Sequence, residues 1–162
     1  MERLGIILII TAVLIIGCDD EPEWPVVIGE PIESALEVRV LDMRIFADLM
    51  PIVPPDPINC RLTLSVENRS SKYSYSGLHV PAGAVFLAEN GLYLGDFFFS
   101  SNWDGKLGRG EADTFRVLKM QSASQIFPPR CGDSLYIRFV LDGGIYGRIM
   151  KRTGNIGFQC FY

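Results

Sequence analysis

The sequence predicts an all-β domain, an antiparallel β-sandwich, and three observations carry that expectation. Apolar and polar side chains alternate with period two in stretch after stretch, as half-buried strands require. Glycine, proline and asparagine punctuate the chain between these stretches, giving eight or nine short strands at intervals of about 8–15 residues. Beyond residue 18 only "SALEVRVLDMRIFADLM" has a composition that suits a helix, and its β-branched alternation favours a strand.

The chain opens differently. Met1-Glu2-Arg3 is a short polar start, and Leu4 to Ile16 follows, apolar except for Gly5 and Thr11. That run matches the h-region of a secretory signal and falls short of the ~20 residues a membrane-spanning helix needs. It stops at Gly17-Cys18-Asp19-Asp20. Ile15-Ile16-Gly17-Cys18 resembles the lipobox of bacterial lipoproteins: an aliphatic residue, a tolerated one, a small one, then cysteine. Two features depart from the common pattern, the Glu2 that offsets Arg3 and an isoleucine where leucine is commoner. The resemblance implies that residues 1–17 are a signal peptide cut between Gly17 and Cys18. It implies that the Cys18 thiol carries diacylglycerol, and that the protein hangs from a membrane of the bacterial cell envelope with its domain outside the cytoplasm. Two or three acyl chains, at about 0.8 kcal/mol per buried CH₂, give stable anchoring. Asp19 resembles the inner-membrane retention signal of enteric bacteria, while other lineages read that position differently, so inner and outer membrane both stay open. A plain transmembrane anchor and a buried core helix are the competing readings of the run.

Residues 18–34 hold Pro22, Pro25 and Pro31 among several acids and read as a stiff tether. The competing reading docks Trp24 and Val26-Val27-Ile28 on the domain as an edge strand. The domain itself is placed at 35–162. Leu36, Val38 and Val40 alternate with Glu37 and Arg39; the phase slips at Leu41 and resumes with Met43 and Ile45, which predicts a β-bulge. Pro51 to Asn59 is a loop, and Leu62, Leu64 and Val66 form the cleanest half-buried strand. Asn68 to Ser76 is turn-like. Pro81-Ala82-Gly83 is expected to break the next segment into two short strands. Asn90-Gly91 predicts a type I′ hairpin between "AVFLAE" and "LYLGDFFF". After the turn region "SSNWDGKLGRGEAD" come "TFRVLKM" and "SLYIRFVL", the latter with Leu135, Ile137, Phe139 and Leu141 on one face. Asp142-Gly143-Gly144 and Thr153-Gly154-Asn155 turn the chain into "IYGRIMKR" and "IGFQCFY". The pattern suits an immunoglobulin-like arrangement, with a jelly roll or small barrel second.

A net charge of -4 with scattered cations argues against a nucleic-acid partner. Outside Cys18 three cysteines remain. In a seven-strand alternation Cys60 and Cys131 begin strands B and F at the same end, so Cys60–Cys131 is the leading disulfide; Cys131–Cys160 and no bridge remain open. Three thiolates and His79 lack any C-x₂-C spacing, so no metal site is assigned. No cofactor is implied. His79, the only histidine, is expected to point outward from a short strand, with no G-x-S-x-G elbow to make it catalytic. Asn102, Asp104, Glu111 and Asp113 imitate a calcium loop but miss the EF-hand spacing, and an acidic turn is the simpler reading. Asn68-Arg69-Ser70 matches a glycosylation sequon. Phe97-Phe98-Phe99 places rings on both faces of a strand, and Tyr73, Tyr75, Tyr93 and Trp103 lie in or near turns. Such aromatics stack on sugars or anchor protein partners when exposed and pack between sheets when not. "LTLSVENRSSKYSYSGLHVPAGAVF" with a following Gly-rich turn resembles the β-sandwich domains of the BsuPI-type proteinase inhibitors over about 50 residues, without an inhibitory motif. The leading expectation is a non-catalytic binding or structural module whose partner is a protein or glycan; the alternative, which that resemblance implies, is an envelope proteinase inhibitor or hydrolase-associated domain.

Overall fold

The phase slip near Leu41 is where the first strand bends. In the computed structural model, which describes residues 30–49, 58–122 and 129–161, β1 (Leu36–Asp48) buries Leu36 and Val38, then Met43, Ile45 and Ala47. Its register against β2 (Ile58–Asn68) shifts between Val40 and Asp42, and Leu41 is left exposed. The bulge re-aims the strand so that both halves face one core. Cys18, Gly17 and Trp24 lie outside the described residues, as does most of the Pro51–Asn59 loop.

β3 (Ala82–Leu87), β4 (Tyr93–Ser101), β5 (Ala112–Ser122), β6 (Ser134–Asp142), β7 (Arg148–Arg152), β8 (Ile156–Gly157) and β9 (Gln159–Phe161) complete an all-β fold. The strands form one open sheet of nine in the order β7-β6-β3-β4-β5-β2-β1-β9, with β8 beside β6. All neighbours are antiparallel except β1 and β9, so the sheet is mixed where purely antiparallel pairing was expected. β4 joins two halves: its beginning pairs β3, its end pairs β5, and the register against β5 shifts between Phe98 and Phe99. Leu62, Leu64 and Val66 from β2, Phe97 from β4, Val117 from β5 and Ile137 from β6 are essentially inaccessible and share one hydrophobic cluster. Each such side chain contributes roughly 1.5–3 kcal/mol.

Four expectations are corrected. The domain's packing starts before residue 35: one helical turn, α1 (Ile32–Ala35), buries Ile32 and Ala35, and the Tyr75 hydroxyl donates to the Glu30 carbonyl. Gly83 lies inside β3, where a Cβ would sit 2.7 Å from the Phe99 ring; glycine is there for a close approach rather than a break. The β3–β4 connection spans residues 88–92, with Gly91 N–H bonded to Leu87 O and Leu87 N–H to Leu92 O, so the two-residue type I′ turn is not formed. Thr153-Gly154-Asn155 does not reverse the chain. β7 and β8 both run antiparallel to β6, and Thr153 bridges them by exchanging bonds with Ile137.

Candidate functional site

Strand ends sort the loops into two groups. Glu30, the loops 69–81 and 102–111, and the turn 143–147 gather at one end; the loop 88–92 and residues 129–133 lie at the other. The expected disulfide Cys60–Cys131 is not made: Cys131 bonds Cys160, and Cys60 is a free buried thiol. Cys60 continues the inward series Ile58, Leu62, Leu64 of β2, so its thiol points into the core. Cys160 is delivered instead by backbone bonds Gly132 N–H to Phe158 O and Phe158 N–H to Asp133 O. Burial pushes the Cys60 thiol up to about 12, against the opposing pull of the Lys119 cation, so it is no nucleophile at neutral pH.

His79 is exposed, with Nδ1 3.0 Å from the Gly77 carbonyl, and its backbone bridges Asp142. Among the described residues no three His, Cys, Asp or Glu side chains gather as a metal-binding group. In the acidic turn, Asp104 caps the Lys106 N–H and Glu111 caps the Gly108 N–H, so these carboxylates close their own loop. Asn68 of the sequon is fully buried: its Nδ2 donates to the carbonyls of Tyr73 and Gly108, both at 2.8 Å, and its Oδ1 accepts from Ser70 N–H. That nitrogen is closed to modification in the folded chain.

The four turn aromatics do not converge. Tyr75 is a core residue at 2 % exposure, edge-on to Tyr146. Tyr73 is half-buried and borders a depression with Glu30, Arg69 and Lys72. Tyr93 is exposed at the opposite end. Trp103 is half-buried, its indole stacked on Phe115 with centroids 4.1 Å apart and planes 10° apart. It borders an open concavity of about 670 Å³ with Thr63, Asn102, Asp104, Asp113 and Arg116. The loop that presents it is zipped to its neighbour by paired backbone bonds between Tyr75 and Leu107, and by Leu78 N–H to Gly105 O.

A second surface escaped the sequence reading. Tyr93, Phe86 and Tyr136 are register neighbours across β4, β3 and β6 on the face opposite the core. Phe86 and Tyr136 stack at 5.1 Å and 9°, and Tyr93 meets Phe86 edge-on at 5.7 Å. The Arg152 guanidinium lies 3.9 Å from the Tyr136 ring centre and the Arg138 guanidinium 4.9 Å from that of Phe86. Arg138 and Arg152 are direct cross-strand partners. Like charges so placed repel, and the ring faces offset part of that cost. Among the described residues neither arginine pairs a carboxylate, whereas Arg148 pairs Asp142 and Arg69 pairs Glu37. Beside this row, Ala82 of β3 lies in register with exposed Phe98 of β4, and Val140 of β6 with exposed Met150 of β7. The signal lay in the polar half of the β6 alternation, where Tyr136, Arg138 and Val140 interleave with the core residues. The β3–β6 pairing that brings Phe86 alongside joins strands distant in sequence and leaves no local trace. No family model matches the chain, and no curated protein matches it in sequence.

Proposed function

We propose that this chain is a lipid-anchored module of the bacterial cell envelope, held by acylated Cys18, that binds a protein partner and performs no chemistry itself. On this reading the strand order is immunoglobulin-like, with β1, β2 and β5 in one sheet of a sandwich, β3, β6 and β7 in the other, and β4 passing between them. The observation that carries the binding role is the ring-and-guanidinium row on the outer face of β3 and β6. Two arginines without carboxylate partners among the described residues, stacked aromatics and flanking exposed apolar side chains are the composition of a protein-binding hot spot. The arginine forks favour a partner that presents carboxylates.

Two measurements test this in the native host. Labelling with a palmitate analogue is expected to mark the wild type and not Cys18→Ser; equal labelling sinks the anchor. A photo-cross-linking residue at Phe98 or Met150 is expected to give an adduct that Arg138→Ser/Arg152→Ser abolishes, while the same residue at Arg44 gives none. Adducts indifferent to the arginines would remove the proposed face.

A further inference from the structure

We propose that the outer edge of β7 is a strand-addition site whose occupant is this chain's own segment 24–28, laid on it antiparallel. β7 ends the sheet, and among the described residues no strand pairs its outer side. Two bonds set the direction of its backbone groups. Gly143 N–H donates to Gly147 O before the strand, and Thr153 N–H donates to Ile137 O after it. Bonding alternates along an antiparallel pair, so Ile149 and Lys151 bond β6, while the N–H and C=O of Arg148, Met150 and Arg152 point away from it. Such an open edge takes an added strand through main-chain bonds. Met150, on the same stretch, is 71 % exposed.

The chain enters the domain where β7 begins. α1 packs against β7, and a Cβ on Gly143 would sit 2.9 Å from Ile32. Glu30 O accepts from the Tyr75 hydroxyl, and the Tyr75 ring meets that of Tyr146, two residues before β7, at 5.4 Å. A segment that leads into Glu30 along β7 therefore runs antiparallel to it. Counting back from Glu30 opposite Tyr146 sets Ile28 against Arg148, Val26 against Met150 and Trp24 against Arg152. The sequence suits this register. Pro25 has no N–H, and here its nitrogen faces solvent, where an edge strand tolerates proline. Val26-Val27-Ile28 is β-branched throughout. Cross-strand partners share a face, so Val26 covers Met150 and the Trp24 ring lies beside the Arg152 guanidinium. Charge favours this occupant over the same edge of a second copy. Among the described residues Lys151 and Arg152 pair no carboxylate, and such cations repel their own kind. Asp19, Asp20, Glu21 and Glu23 come next in the segment, past the Arg152 end of β7. The inference is independent of the protein-binding reading, because edge pairing leaves Phe86, Tyr136 and Phe98 open.

Hydrogen exchange read by NMR on the full chain in detergent micelles, with no partner present, tests this. The Val26, Ile28 and Met150 amides are expected to exchange at least about tenfold more slowly than in an unstructured chain. Val26→Pro removes a donor aimed at β7. It is expected to speed exchange at Met150 at least about tenfold, with the Ile137 amide of β6 unchanged as the check on the fold. The wild-type rates alone can overturn the proposal: Val26 and Ile28 exchanging as in an unstructured chain mean a bare edge. Protection that fades on dilution assigns the added strand to a second copy, and a Met150 amide indifferent to Val26→Pro assigns its cover to something else; either result also overturns it.

Discussion

Replacing Asn68 by alanine tests how the loops at the Glu30 end are held. Asn68 is inaccessible at the end of β2 and makes three hydrogen bonds, to Tyr73 O, Gly108 O and Ser70 N, at 2.8, 2.8 and 3.0 Å. The first two tie the loop 69–81 to the loop 102–111. Alanine removes all three bonds and leaves two carbonyls and one N–H without a side-chain partner. At about 1 kcal/mol net per bond the loss is about 3 kcal/mol, and more where the abandoned groups stay dry. For a domain of this size that corresponds to a fall of roughly 10 °C in melting temperature. Urea denaturation followed by circular dichroism measures the first quantity, and a thermal scan the second. Asn68→Asp supplies the control. It keeps the shape and the acceptor for Ser70 but sets carboxylate oxygens against two carbonyls, so it should be at least as damaging at neutral pH. A loss below about 1 kcal/mol for both variants would show that the loops are held by something other than this amide.

Three further outcomes follow from the packing. Cys131→Ser/Cys160→Ser opens a bridge between residues 29 apart and should cost about 3–4 kcal/mol by loop entropy, while native Cys60, raised to about 12 by burial, should resist thiol reagents until the chain unfolds; a rapidly labelled Cys60 would refute its placement. Gly105→Ala places a Cβ 2.3 Å from the Leu78 carbonyl at a φ of +72°, so a loss above about 3 kcal/mol is expected in the same urea assay, and a neutral result would refute that close approach. The Gly144 N–H bond, with Arg148 beside it, holds the Asp142 carboxyl below its ordinary 3.8 against burial, which acts the other way. A lowered folded value stabilises above 3.8 and ceases to as the pH falls below it. Asp142→Asn should therefore be less stable than wild type at neutral pH, with the gap closing in acid; a pH-independent gap would contradict this.

What was legible in the sequence was local. The β1 bulge showed as a slip of alternation at Leu41, and the inner face of β6 as four apolar residues two apart, because the pleat imposes that period on any half-buried strand. What needed the fold was contact between distant segments. The disulfide depended on β9 crossing to the far edge beside β1, and nothing near Cys160 encodes that crossing. Asn68 continues the inward series of β2, so its burial was implied by parity, yet a polar side chain carries no hydrophobic signal by which alternation is recognised. The β3–β4 turn departs from its local signal because an Asn-Gly pair specifies a two-residue reversal only when the flanking register permits it, and the register here shifts between Val85 and Phe86. Of the site residues, Trp103 was named from its turn context, but the concavity it borders joins that turn to β2 and β5.

Among the described residues a three-residue strand, β9, alone shields the Phe46–Asp48 margin of β1, and Cys160 in its middle is its covalent fastening. A molecule whose sulfurs are reduced holds β9 by backbone pairing alone, so β9 can lift away and leave that margin free to recruit a strand from another copy. Self-association on reduction, appearing before the core melts, is the behaviour this construction implies.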